Sequence, residues 1–357
     1  MAGPSFAGGC VDGGGGRTGQ IAQHCLAYIQ AHRPLAVILE NGVALASKGG
    51  RDIAHIEGQL REYGYSVSTQ KLNSNQFGVP QSRNRLYIIA FLVQPGNVEE
   101  GMPFAFMKTI ESTLRRMQTI PAPPLTAFLA PETHPGIHEW RAHRMQTKSE
   151  GANRKETAGC KKYEPEHMEA FLAVGVTEYP PKVECFPSGA HLPQRFFEIA
   201  YLLDIRWKHL QKETVHDLNM SLNYQNNPHE EQCFTLTSCS RPWLRQRKRD
   251  MTGDEALALQ GFDYIRQVKA NGTQVFTHAQ KFDLAGNAFN GYIVGALAMC
   301  IISLADWGHA RHVRNQLRGM TRMPAVTAAN DGIEGVDETD NSTQWSEASE
   351  DDAFIIS

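Results

Sequence analysis

Four short runs in this sequence hold residue types suited to acid–base and anion chemistry. Glu40-Asn41 directly follows the apolar run Leu35 to Leu39. A carboxylate at the carboxyl end of a buried strand stands where the ligands of open α/β sheets collect, although the same pair would also serve to end a strand and begin a turn. Gln81-Ser82-Arg83-Asn84-Arg85 enters a second apolar run, Leu86 to Val93. In extended backbone alternate residues share a face, so Gln81, Arg83 and Arg85 point the same way. Two neighbouring guanidiniums repel unless an anion or polar group lies between them, which predicts a phosphate or base contact. Surface arginines at a strand entry are the plainer alternative.

The third run begins with Arg241, Arg245, Arg247, Lys248 and Arg249 and continues through Thr252 and Glu255 to Leu259-Gln260-Gly261-Phe262. Its cations could track a phosphate backbone, form a nuclear-import patch, or simply be a solvated face. Thr252 and Glu255 have the spacing of a helix capping box. The fourth run, Gly286-Asn287-Ala288, is expected at the start of the last apolar helix, offering backbone N–H groups and an amide to a ligand.

The elements that must position these groups are legible for about the first hundred residues. Ile21, Cys25, Tyr28 and Ile29 fall at helical spacing, and Pro34 marks a stop before the strand Leu35 to Leu39. Arg51 to Tyr63 is predicted helical with Gly64 as its C-cap, and Tyr65 to Leu72 and Leu86 to Val93 are predicted strands. This alternation is the rhythm of a doubly wound α/β sheet. Between about 100 and 240 it fails, predicting a loop-built recognition region. Order returns at Thr252 and again over Tyr292 to Leu304, and residues from about 318 onward read as disordered.

Hydrophobic residues make up 41% and charged residues 20% of 357 residues, an ordinary globular mix. No apolar run reaches the length of a membrane span and the N-terminus lacks a secretory layout, so an intracellular protein is expected. The cysteines, at 10, 25, 160, 185, 233, 239 and 300, form no C-x-x-C pair and predict reduced thiols without structural zinc. The net charge of −3 hides an asymmetry: nine carboxylates lie between Asp331 and Asp352, and without them 29 acidic residues face 35 basic ones. A basic body suits a polyanionic partner, and the cluster at 241–249 suggests the nucleus.

Taken together and in order, the four runs resemble the cytosine-5 DNA methyltransferase family over roughly residues 10–310. Glu40-Asn41-Gly42-Val43 is similar to its Glu-Asn-Val motif with one residue inserted, and Gln81, Arg83 and Arg85 match Gln-x-Arg-x-Arg. Arg249 through Phe262 resembles its Arg-x-Leu-Thr…Glu…Leu-Gln-Gly-Phe-Pro stretch, with Asp263 in place of Pro, and Gly286-Asn287 resembles its closing Gly-Asn. The resemblance implies an incomplete doubly wound, Rossmann-like methyltransferase sheet with an irregular target-recognition region. It divides the chain into a partial catalytic domain (1–100), a recognition region (101–240), a closing catalytic segment (241–312) and a disordered acidic tail (313–357).

It also implies that a cytosine is flipped from DNA, attacked at carbon 6 by a cysteine thiolate, and methylated at carbon 5 from S-adenosyl-L-methionine. Glu40 would face ring N3, Arg85 the base carbonyl, and Arg83 the site or a phosphate. Gln81 and the cations from Arg241 to Arg249 would contact DNA, while Asn41, Gly286 and Asn287 would line the cofactor pocket. Two parts of the family pattern have no match: the aromatic-Gly-x-Gly cofactor loop, and Pro-Cys before Gly3-Pro4-Ser5-Phe6-Ala7-Gly8. Cys10 is the nearest thiol to that place. The expectation is therefore a truncated methyltransferase, weak or inactive by itself. The alternatives are a catalytically dead accessory relative of a partner methyltransferase subunit, or an RNA-methylating member.

Overall fold

The computed structural model describes residues 17–46, 50–93, 102–118, 121–138, 140–141, 163–179, 194–222, 228–262, 276–304, 311–312, 314–316 and 355–356. Cys10, the glycine run and the acidic run of the tail lie outside the described residues. The first half forms α1 (Arg17–His32), β1 (Ala36–Gly42), α2 (Arg51–Glu62), β2 (Tyr65–Asn73), β3 (Asn84–Leu92) and α3 (Met102–Met117). The second half adds α4 (Glu164–Ala173), α5 (Gln194–Arg206), β4 (Val215–Asp217), β5 (Pro242–Leu244) and β6 (Arg249–Asp250). It then continues through α6 (Gly253–Ala258), α7 (His278–Asn287), α8 (Gly291–Leu304) and β7 (Ile355–Ile356). The predicted elements of the first half agree with those observed to within a few residues. Gly64 follows α2 at φ 90, a left-handed conformation that a side chain would strain.

The main sheet has strand order β2-β3-β1-β7. β1 and β2 run parallel and are joined by α2, the βαβ unit that the rhythm predicts. Between them lies β3, antiparallel to both, with Glu40 opposite Tyr87 and Gly42 opposite Arg85. The cause is the connection: only residues 74–83 separate β2 from β3, too short for the crossover that parallel pairing needs. β7 pairs in parallel with Val37 and Ile38 on the other edge of β1. This sheet, α1, α2, α3 and α8 enclose one apolar core, centred on Ile29, Ile38, Leu60, Ile89, Ile110 and Leu297.

The stretch read as irregular is more ordered than its pattern suggests. α4 and α5 pack around Phe171, Ile199 and Leu203 with Trp243 from β5, a separate small core. A second sheet, β4-β5-β6, pairs Val215 with Leu244 and Trp243 with Asp250. It crosses the boundary expected at 240, so the recognition region and the closing segment share hydrogen bonds.

Candidate active site

Glu40 sits near the carboxyl end of β1. Gly42, directly opposite Arg85, presents no side chain there, so the guanidinium can turn along the strand toward Glu40. Arg85 Nε lies 2.9 Å from Glu40 Oε1, with side chains 18% and 13% exposed. The contact is an ion pair between two part-buried side chains. Burial pushes the Glu40 carboxyl above the ordinary carboxylate range, and the nearby charges of Arg85 and Arg83 only partly oppose it. The result is a carboxyl held ready to carry a proton, beside a permanent cation, at the mouth of a sheet.

Of the two places expected for Arg83, the site or a phosphate, the structure puts it inside the fold beside the site. It is 2% exposed, and its guanidinium donates to the carbonyls of Leu236 (2.9 Å), Gly286 (3.2 Å) and Ala288 (2.5 Å). Burial lowers its pKa to about 10, with Arg85 adding to the effect. It clasps chain segments that are distant in sequence and has no phosphate-facing tip. Gln81 is also fully buried and accepts from Gln260 Nε2 at 2.9 Å, so it does not face DNA. Three of the four runs thus meet: Gln81 with Gln260, and Arg83 with the turn after α7.

The residues expected to hold S-adenosyl-L-methionine do not form a cradle for it. Gly286 and Asn287 end α7 and do not begin α8. A Cβ on Gly286 would lie 2.1 Å from Ser238 N, so the glycine is needed for close packing, and its carbonyl is engaged by Arg83. Asn287 donates to Asp283 one turn back. The cap of α8 is Asn290, whose Oδ1 accepts from Tyr292 N and Ile293 N. Asn41 is 6% exposed, and its Oδ1 accepts from the Gly42 backbone.

The basic cluster is likewise engaged inside the fold. Arg249, wholly buried, makes two bonds to Glu255, at 2.9 and 2.8 Å, and a third to Glu132 at 2.8 Å. Glu255 also accepts from Thr252 N as half of the expected capping box, and from Ala130 N. Arg241 pairs with Asp250, Arg245 with Thr214 and Asp204, and Lys248 with Asp204. Arg247 reaches Glu132 and the Ala130 carbonyl. Such residues hold sheet and helices together, each paired with a carboxylate from 132, 204, 213, 250 or 255. Clustering along the sequence gave no sign of the distant partners Glu132, Asp204 and Glu213.

Two clefts flank the turn Thr237–Ser240. One, of about 460 Å³, is lined by Ser82, Asn84, His216, Asp217 and Thr235. The other, of about 520 Å³, is lined by Trp140, Cys239, Arg241, His278 and Phe282. The sequence reading missed Tyr87 and Asn290. Tyr87 continues the alternation of Arg83 and Arg85 and faces Glu40 in register. Its ring is fully buried, with the hydroxyl against the Asn290 backbone but without a hydrogen-bond partner of normal geometry. Asn290, just before an apolar helix, had a recognisable N-cap signal.

Residues 5–302 match the family model described as C-5 cytosine-specific DNA methylase. The chain is 24% identical over 311 residues to the DNA (cytosine-5-)-methyltransferase DMT5 of Cryptococcus neoformans var. grubii, covering 81% of this chain and 12% of that one. It is 28% identical over 299 residues to DMT5 of Verticillium dahliae, covering 78% and 12%. This chain therefore spans about one eighth of the length of those two relatives. The Type II methyltransferase M.BanI of Aneurinibacillus aneurinilyticus is 45% identical over 65 residues, 18% of this chain and 15% of that one. Among solved structures, S. pombe Dnmt2 methyltransferase aligns at TM-score 0.41 and 14% identity over 80% of this chain and 73% of that one.

Proposed function

We propose that this chain, which belongs to the C-5 cytosine-specific DNA methylase family, supplies the base-recognising half of a DNA (cytosine-5-)-methyltransferase. The observation that carries the reading is the Glu40–Arg85 pair. A carboxyl kept protonatable by burial donates to an acceptor such as cytosine N3, and a guanidinium beside it donates to the adjacent carbonyl. Proton donation at N3 withdraws charge from the ring, which favours addition at carbon 6. The family implies S-adenosyl-L-methionine as the methyl donor, which supplies the methyl group for carbon 5. No step of the reaction is assigned to Asn41, Gly286 or Asn287, whose surroundings do not fit that group. The nucleophile and cofactor loop belong to residues outside the described set, Cys10 among them, or to a partner methyltransferase subunit.

The test compares binding of the full chain to poly(dI-dC) and poly(dA-dT) duplexes by fluorescence anisotropy. Preference for the cytosine polymer, reduced about tenfold or more in Glu40→Gln and Arg85→Ala without loss of thermal stability, is the expected result. Equal affinity for both polymers, or variants that bind like the parent, would sink the reading.

A further inference from the structure

The cations at 241–249 are paired inside the fold, but a second basic group, displayed on the turn after α5, is not. Arg206, Lys208, His209 and Lys212 stand in a stretch, Ile205 to Lys212, that contains no carboxylate. Arg206 ends α5 and is half-buried, while Lys208, His209 and Lys212 are exposed. Among the described residues, no carboxylate forms an ion pair with Arg206, Lys208 or Lys212. Glu230 accepts from the Lys212 backbone N–H at 3.0 Å, and Asp204 is reached by both Arg245 and Lys248. Counting Glu230 against the three cations still leaves the turn positive.

A run of surface cations is ordinarily a solvated face with no fixed shape. This one is braced. Trp207 packs against the small core around α4 and α5, and the Leu210 N–H donates to the Trp207 carbonyl at 3.0 Å. Arg245, 3% exposed, donates from Nη2 to the Leu210 carbonyl at 2.6 Å, and Gln246 Nε2 donates to the same carbonyl at 2.8 Å. Part of the run expected to meet DNA therefore holds in place the turn that carries the unpaired cations. From Lys212 the chain passes through Glu213 and Thr214 into β4. The turn is thus three residues from a wall of the cleft that Asn84, the neighbour of Arg85, also lines.

We infer that the turn from Arg206 to Lys212 is a phosphate-contacting surface, a braced cationic ridge that takes the backbone of duplex DNA without regard to sequence. This rests on the reading of the chain as part of a DNA methyltransferase, and adds to it a sequence-independent grip that Glu40 and Arg85 do not supply. Ammonium groups that meet phosphates release condensed counterions, so their share of the affinity shows as salt dependence.

The experiment measures binding of the full chain to poly(dI-dC) and poly(dA-dT) duplexes by fluorescence anisotropy across a series of NaCl concentrations. In Lys208→Ala/Lys212→Ala the slope of log affinity against log salt should become shallower by about two. Affinity for both polymers should fall about fivefold or more at low salt, with their ratio unchanged. Arg51→Ala/Lys71→Ala removes two exposed cations elsewhere and should keep the parental slope. All four positions are exposed, and an unchanged melting temperature checks that folding is intact. An unchanged slope in the first variant, an equal change in the second, or a loss confined to one polymer would overturn the inference. Equal parental affinity for the two polymers defeats the Glu40 reading and leaves this one standing, whereas a parent that binds neither polymer overturns both.

Discussion

Glu40 at the end of β1 and Glu198 in the second turn of α5 are both shielded from water, yet their surroundings treat the charge in opposite ways. Burial of Glu198 would raise its pKa, but His167, Gln194 and Tyr179 outweigh this and leave the carboxyl below its ordinary range. Those bonds measure 2.7, 2.8 and 2.8 Å. Glu40 has the Arg85 guanidinium beside it and Arg83 nearby, and burial still prevails. The helical unit therefore satisfies its carboxylate completely, whereas the sheet leaves its carboxylate incompletely satisfied where a ligand can reach it. The two carboxylates thus differ in how far their partners offset burial.

That contrast can be broken most severely on the scaffold side. Glu255→Ala removes the buried partner of wholly buried Arg249, leaving it only the exposed Glu132, and should cost about 3–5 kcal/mol in urea denaturation. A loss under about 1 kcal/mol would show that the pair is not structural. Glu198→Gln should cost about 1.5–3 kcal/mol at neutral pH, since the lost bonds involve a charged acceptor. Its pH signature follows from its lowered carboxyl. The stabilisation is present above the unfolded-state value and disappears as pH falls through the folded-state value, so the parent should show a steeper acid loss than the variant.

Glu40→Gln should change stability least, by no more than about 1 kcal/mol at neutral pH, because the pair is part-exposed. The sign of its pH effect is reversed. With the folded value raised, the stabilising contribution is present below the unfolded-state value and is lost as pH rises through the folded value. Stability measured by urea denaturation between pH 4 and 8 should therefore fall with rising pH more in the parent than in Glu40→Gln. Parallel curves would erase the contrast with Glu198.

The sequence made the first sheet legible because its elements are local: apolar runs, a proline stop and Gly64 at φ 90 act over a few residues. Glu40 and Arg85 were legible for the same reason, each at an end of a strand. Pairings made over long separations were not. Arg245 and Lys248 looked like cations for DNA because Asp204, which both reach, lies more than forty residues away. Asn287 looked like a helix cap because nothing local showed that α7 continues to it and that Asn290 takes the role. The small core around α4 and α5 went unread because Trp243 completes it from outside the segment.

The clasp made by Arg83 has a consequence for synthesis. Its acceptors follow it by 153, 203 and 205 residues. At about 5–20 residues per second, a ribosome releases β3 roughly ten to forty seconds before the last of them. Through that interval the antiparallel pairing of β1 with β3 can already bring Glu40 near Arg85, while the neighbouring guanidinium has no berth. The nascent chain is then half-built at its most charged point, and a partner or chaperone that shelters the emerging sheet would matter more to yield than to the finished protein's stability.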